Sequence, residues 1–144
     1  MEKTLIIFKP DSLENKNVGK TLQRFEENGF EICACKMVIL SSNILRDHYA
    51  HIIDLPHFDK IEEFMSKRPV IITVFQSKNA VNKARDLVGS TDSRKAEKGT
   101  IRGDLGIDIE RNAVHGSDAP GTAKLEIDYF FNATEICAPV EALP

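Results

Sequence analysis

The 144-residue sequence predicts a mixed α and β domain, and three observations carry that reading. Apolar, β-branched runs stand at Thr4–Phe8 and Val70–Phe75, and Glu31–Leu40 mixes cysteines with apolar residues in a third strand-like stretch. Between them, apolar residues return every three or four positions, the period of a helix packed on one face. No repeat, linker or low-complexity stretch interrupts the pattern, so residues 1–144 are expected to form one domain.

The elements follow in order. Thr4-Leu5-Ile6-Ile7-Phe8 reads as a strand that Pro10 ends. Val18, Leu22 and Phe25 predict a helix stopped at Asn28-Gly29. Glu31 to Leu40 reads as a long strand on which Cys33 and Cys35 share a face. Ile44, Leu45, His48, Tyr49 and Ile52 mark a helix starting near Ser41-Ser42. Phe58, Ile61, Phe64 and Met65 mark a second one after Pro56. Pro69 opens Val70–Phe75, apolar on both faces and therefore expected in the middle of a sheet. Ala80, Val81, Ala84, Leu87 and Val88 give a further helix, stopped by Gly89. From Ser90 to Glu110 the periodicity disappears, and a loop of that length inside a compact domain is usually functional or disordered. A short strand at Ala113-Val114 then leads into His115-Gly116-Ser117-Asp118. Pro120 opens a last helix with Ala123, Ile127, Phe130 and Phe131 inward. Periodicity leaves open whether the sheet is parallel or antiparallel.

Composition narrows the function classes. Apolar residues are 42% and charged residues 28%, an ordinary soluble balance. A net charge of −3 gives no whole-chain electrostatic case for nucleic acid or a membrane surface. The three cysteines, Cys33, Cys35 and Cys137, lack metal-ligand spacing and suit a reducing, cytoplasmic setting. The apolar run Leu5–Phe8 is too short for a signal peptide, and no run is long enough to span a bilayer.

Few residues are then left to carry chemistry. Gly19-Lys20-Thr21 imitates the end of a phosphate-binding loop, but Glu14 stands where that loop needs glycine, so an early helical turn is the better reading. His115 precedes a tight polar turn expected to expose its ring. A neutral imidazole is a competent nucleophile near pH 7, and a carboxylate on its other nitrogen would fix the tautomer. Glu126, on the following helix, is placed for that task. Equally, a strand-end histidine and a helix-surface glutamate can be merely structural. Residues 83–102 hold six cations, among them Arg85 and Arg102, against three carboxylates. Such a run is either a solvated face or a clamp for polyphosphate. Thr91 and Asn112 could donate to phosphate or sugar oxygens, and Lys9 would aim a cation at the sheet's edge. His48 and His51 lack the further ligands that a metal would need.

Three stretches carry a family resemblance: Thr4-Leu5-Ile6-Ile7-Phe8-Lys9-Pro10-Asp11, Gly99-Thr100-Ile101-Arg102-Gly103-Asp104 and Asn112-Ala113-Val114-His115-Gly116-Ser117-Asp118. Together they resemble the signatures of nucleoside diphosphate kinases, collinearly from Lys3 to Phe131. The resemblance implies an α+β, ferredoxin-like sandwich with a four-stranded antiparallel sheet covered by helices. It also implies a homo-oligomer, a tetramer or hexamer built from dimers, with neither membrane nor nucleic-acid partner. The activity implied is transfer of the γ-phosphate of a nucleoside triphosphate, mainly ATP, to a nucleoside diphosphate by a ping-pong route through a phosphohistidine. A non-catalytic nucleotide-binding member or a histidine-phosphorelay member is the alternative. By position, His115 would be the nucleophile and Glu126 its orienting carboxylate, with Ser117 bonded to Glu126. Lys9 would contact the transferred phosphate and the ribose, positioned by Tyr49. Arg85, Thr91 and Arg102 would hold phosphates, and Asn112 the ribose hydroxyl. Mg2+ would arrive through the nucleotide phosphates, with no metal-binding residue assigned. The sequence departs from the family pattern at His57, where a base-stacking phenylalanine is usual, at Ser93, usually proline, and at Arg68, usually glycine.

Overall fold

The computed structural model describes residues 1–48 and 58–137, with the side chain of His48 outside that set. Four strands, β1 (Glu2–Phe8), β2 (Glu31–Val38), β3 (Val70–Ser77) and β4 (Val114–Gly116), form one sheet in the order β2-β3-β1-β4. Every pairing is antiparallel. The helices are α1 (Pro10–Glu14), α2 (Val18–Glu27), α3 (Ser42–His48), α4 (Phe58–Ser66), α5 (Ala80–Val88), α6 (Ile101–Leu105) and α7 (Pro120–Phe130). This is the ferredoxin-like α+β sandwich.

Alternation along β1 explains why both sheet faces are covered. Leu5 and Ile7 pack with Leu45 of α3, Met65 of α4 and Ile127 and Phe130 of α7. Ile6 and Phe8 project the other way, toward Phe25 of α2, Ala84 and Val88 of α5 and Ile101 of α6. Phe25 stacks on Phe75 with ring centroids 4.4 Å apart, fixing α2 on that face. β1 and β3 are the central strands, as their continuous apolar runs require.

Three expectations are corrected. The pairing register shifts between Ile32 and Ala34, so β2 contains a bulge that changes its phase. Cys33 is consequently buried while Cys35 is exposed, and the two do not share a face. Burial pushes the Cys33 thiol above its ordinary pKa, which makes it a packing group. Second, the aperiodic stretch 90–110 contains α6. Its N-cap Thr100 accepts from Gly103 N at 3.0 Å and donates to Glu97 O at 2.6 Å. Five residues are too few to show a helical period. Gly103 admits no side chain there, because a Cβ would lie 2.0 Å from Glu97 O. Third, His115 does not follow the last strand but sits inside it, opposite Ile7 of β1.

Candidate active site

The register of β4 determines where the nucleophile candidate points. Antiparallel partners project to the same sheet face, so His115 shares the face of Ile7, which α7 covers. Val114 shares the opposite face with Phe8 and joins the α2–α5 core. On α7, Ala123, Glu126, Ile127 and Phe130 are the buried positions, so Glu126 belongs to the stripe that meets the sheet. His115 Nε2 and Glu126 Oε2 are 2.8 Å apart. The histidine side chain is 26% exposed and the glutamate 9%, so the ring is half-buried rather than displayed on a turn. Glu126 is no surface charge.

A cleft of about 1260 Å³ opens beside this pair. Its walls include Lys9, Arg85, Thr91, Arg102, Asn112, His115 and Ser117, so these seven sequence-nominated residues converge on one concavity. Tyr49 and His57 lie outside the described residues, as do His51 and Ile52.

The cations are held in different ways. Lys9 Nζ donates to Glu110 O at 2.5 Å and to Asn112 Oδ1 at 2.9 Å, and it lies 5.6 Å from the centroid of the Phe64 ring. Burial lowers its pKa to about 8, against the opposing field of Asp11, and the Arg102 charge lowers it further. Arg102 is a structural tie as well as a cleft cation. Its Nη2, Nη1 and Nε donate to Val114 O (2.8 Å), Gly89 O (3.1 Å) and Asn112 O (3.3 Å). Gly89 ends α5 at φ 89°, a conformation that suits glycine and turns its carbonyl to this guanidinium. Arg85, on the last turn of α5, makes a single long 3.4 Å contact among the described residues, with Asp118 O. Asn112 is the junction, accepting from Lys9 while its amide donates to Thr91 O (2.9 Å) and Ile109 O (3.2 Å).

Ser117 differs from expectation. Its hydroxyl lies between the backbone N and O of Leu5, at 3.4 and 3.5 Å, and does not bond Glu126. The next residue after β4 is still fastened to β1, and the hydroxyl follows the backbone.

Two features escaped the sequence reading. Ile61, Phe64 and Ile109 give the cleft an apolar wall, although Ile109 is 53% exposed. An isolated apolar residue in an aperiodic loop was the available signal. Ala113 has φ 74°, rare for a residue with a Cβ, and Val114 N donates to Asn112 O at 2.9 Å across it. This is the strained form of the γ-turn, and it stands directly before the histidine strand. Backbone of this kind costs about 1–3 kcal/mol and persists only where its surroundings enforce it.

Cleft, cations and oriented histidine together suit phosphoryl transfer, and comparison with known proteins decides the family. The family model for nucleoside diphosphate kinase matches residues 2–136. The chain belongs to the nucleoside diphosphate kinase family. It is 47% identical over 137 residues to a nucleoside diphosphate kinase of Campylobacter jejuni, covering 95% of this chain and 100% of the relative. With one from Nitrosospira multiformis the identity is 48% over 131 residues, or 91% and 93% of the two chains. Among solved structures, the Aquifex aeolicus nucleoside diphosphate kinase superposes with a TM-score of 0.89 at 39% identity, covering 94% of this chain and 98% of that one. The halophilic family member from Halobacterium salinarum, in complex with CDP, superposes at 0.94 with 33% identity, covering 97% and 93%. Membership makes this protein a nucleotide-binding kinase that transfers phosphate between nucleotides. Among the described residues, no helix is long and apolar enough to cross a membrane.

Proposed function

We propose that this nucleoside diphosphate kinase works by a ping-pong mechanism through a phosphohistidine on His115, with ATP as the main donor. The observation that carries the proposal is the 2.8 Å pair between His115 Nε2 and buried Glu126, set at the wall of a cation-lined cleft. The tautomer protonated at Nε2 has its lone pair on Nδ1. That lone pair attacks the γ-phosphorus, the N–P bond forms, and the bond to the bridging oxygen breaks with its electrons leaving on the nucleoside diphosphate. Glu126 stabilises the imidazolium that attack creates. In the second half-reaction, a terminal oxygen of the acceptor diphosphate attacks the same phosphorus and returns the electron pair to Nδ1.

Lys9, Arg85 and Arg102 supply positive charge where the phosphoryl oxygens gain negative charge. Thr91 is a donor for phosphate; Asn112, whose amide hydrogens go to Thr91 O and Ile109 O, offers its Oδ1 as an acceptor to the ribose hydroxyl and also holds Lys9 in place. Ser117 acts at one remove, fastening the end of β4 to Leu5. Magnesium enters as part of the substrate, chelated by the nucleotide phosphates. Ile61, Phe64 and Ile109 offer an apolar surface against which any base can stack, which supports broad base tolerance. Tyr49 as a partner of Lys9, His57 as a stacking group, a cytoplasmic location and a homo-oligomer of tetrameric or hexameric form follow from the family resemblance.

Initial rates with ATP and dTDP test the mechanism. Parallel double-reciprocal lines are expected, together with loss of turnover in His115→Ala. Intersecting lines, or a His115→Ala variant that still turns over, would refute it.

A further inference from the structure

The strained turn before the nucleophile has an identifiable restraint. Ala113 N donates to Asp11 Oδ2 at 2.9 Å, although the two residues are 102 positions apart in sequence. The Ala113 carbonyl accepts two more bonds from the same segment, Lys9 N at 2.9 Å and Ser12 Oγ at 2.6 Å. Residues 9–12 therefore grip both polar backbone groups of a residue held at φ 74°. Asp11 is 1% exposed, and its second oxygen, Oδ1, is buried with no hydrogen-bond partner among the described residues. Burial pushes its carboxyl above the usual carboxylate range. An acidic group in the first turn of a helix is common, but helix capping does not account for a bond directed at the residue before β4.

From this arrangement we infer that Asp11 is a positioning residue for the phosphoryl-transfer reaction. Its bond to Ala113 N holds the positive-φ turn that sets β4 against β1, and so fixes the distance between His115 and Lys9. The inference rests on His115 being the nucleophile. Ala113 would relax toward negative φ without the restraint, because a Cβ makes the left-handed region unfavourable. That rotation sits one residue before β4 and would redirect Val114 and His115. The same segment begins with Lys9, whose backbone N itself donates one of the bonds to Ala113. One clamp therefore sets nucleophile and phosphate-binding cation together. Asp11 touches no substrate in this scheme. It acts only through the backbone.

Glycine accepts positive φ without the steric penalty, so the clamp should become dispensable if residue 113 lacks a Cβ. The test is a double-mutant cycle of Asp11→Ala and Ala113→Gly, read by kcat and KM with ATP and dTDP and by urea unfolding midpoints. In the unsubstituted background, Asp11→Ala is expected to lower kcat about tenfold to hundredfold, the order expected of an ångström-scale displacement, with KM changed less than threefold. In the Ala113→Gly background the same substitution should cost less than about threefold. Asp11→Asn, which keeps an acceptor oxygen for Ala113 N, should retain kcat within about threefold. Equal losses in both backgrounds, or a loss confined to KM, would overturn the inference. If Asp11→Ala alone does not fold, recovery of a folded, active protein by Ala113→Gly supports the clamp, and no recovery refutes it. Radiolabel from γ-labelled ATP on the unsubstituted protein separates this result from the mechanism itself. Absence of label on His115 would remove the nucleophile assignment, while coupling between the two unfolding midpoints would still report whether the clamp exists.

Discussion

The two walls of the cleft are built by different means. On one side, His115 and Glu126 stand on β4 and α7, where neighbouring residues are locked into the two apolar layers: Val114 is fully buried and Ile127 packs against β1. On the other side, Ile101 enters an apolar layer, but the rest of the stretch 90–111 is held by polar ties: the Thr100 cap, the Arg102 bonds to three carbonyls, and the Asn112 amide. Hydrophobic packing is non-directional and tolerates small changes, whereas a buried network of hydrogen bonds fails when one member is removed. The elements that carry His115 and Glu126 are thus seated by the core, and the Asp11 bond to Ala113 N is the polar tie on that side. The cation-bearing side depends more heavily on single side chains.

Substitutions should break this contrast in a graded way. The largest effect is expected at Glu126→Ala, with kcat reduced about 10²–10⁴-fold, as when an orienting carboxylate is taken from a histidine, and KM little changed. Steady-state kinetics would check it, and a loss limited to KM would contradict the orienting role. Arg85 and Arg102 form a second pair to compare. Both Arg→Ala variants should lose about 10²–10³-fold in kcat/KM. Only Arg102→Ala should also lose stability, about 2 kcal/mol in urea unfolding, because Val114 O and Gly89 O lose the guanidinium and Asn112 O keeps only Val114 N among the described residues. Arg85→Ala should unfold within about 0.5 kcal/mol of the unsubstituted protein.

Lys9 gives a pH test. Its pKa of about 8 keeps the ammonium charged below that pH and neutral above it. Nucleotide KM should therefore rise as pH increases through about 8. Lys9→Arg, charged throughout this range, should lose that alkaline limb even if its kcat is lower. The smallest effect belongs to Thr100→Ala. Loss of this cap should cost about 1 kcal/mol by thermal unfolding and increase hydrogen exchange in the 97–106 segment.

The sequence made the layered architecture legible through simple periodicity. Val70–Phe75 reads as central because both its faces are apolar, and it is central. The β2 bulge was not legible, since one extra residue in a strand changes the phase without changing composition. His115, Glu126 and the 83–102 cations were visible as residue types. Their convergence was visible only through motif resemblance, because Lys9 and Asn112 meet across 103 positions. Asp11 illustrates the limit. Its partner is a backbone amide, and no side-chain pattern records which amide a distant carboxylate will receive. The Ser117 hydroxyl was misread for the same reason: its contacts are with the backbone of Leu5.

The most direct measurement isolates the first half-reaction. Protein mixed with γ-labelled ATP in the absence of an acceptor should take up one acid-labile, alkali-stable phosphoryl group on His115. Addition of a nucleoside diphosphate should then discharge it into the triphosphate pool. Failure of the unsubstituted protein to take up label, or uptake that survives His115→Ala, would contradict the account.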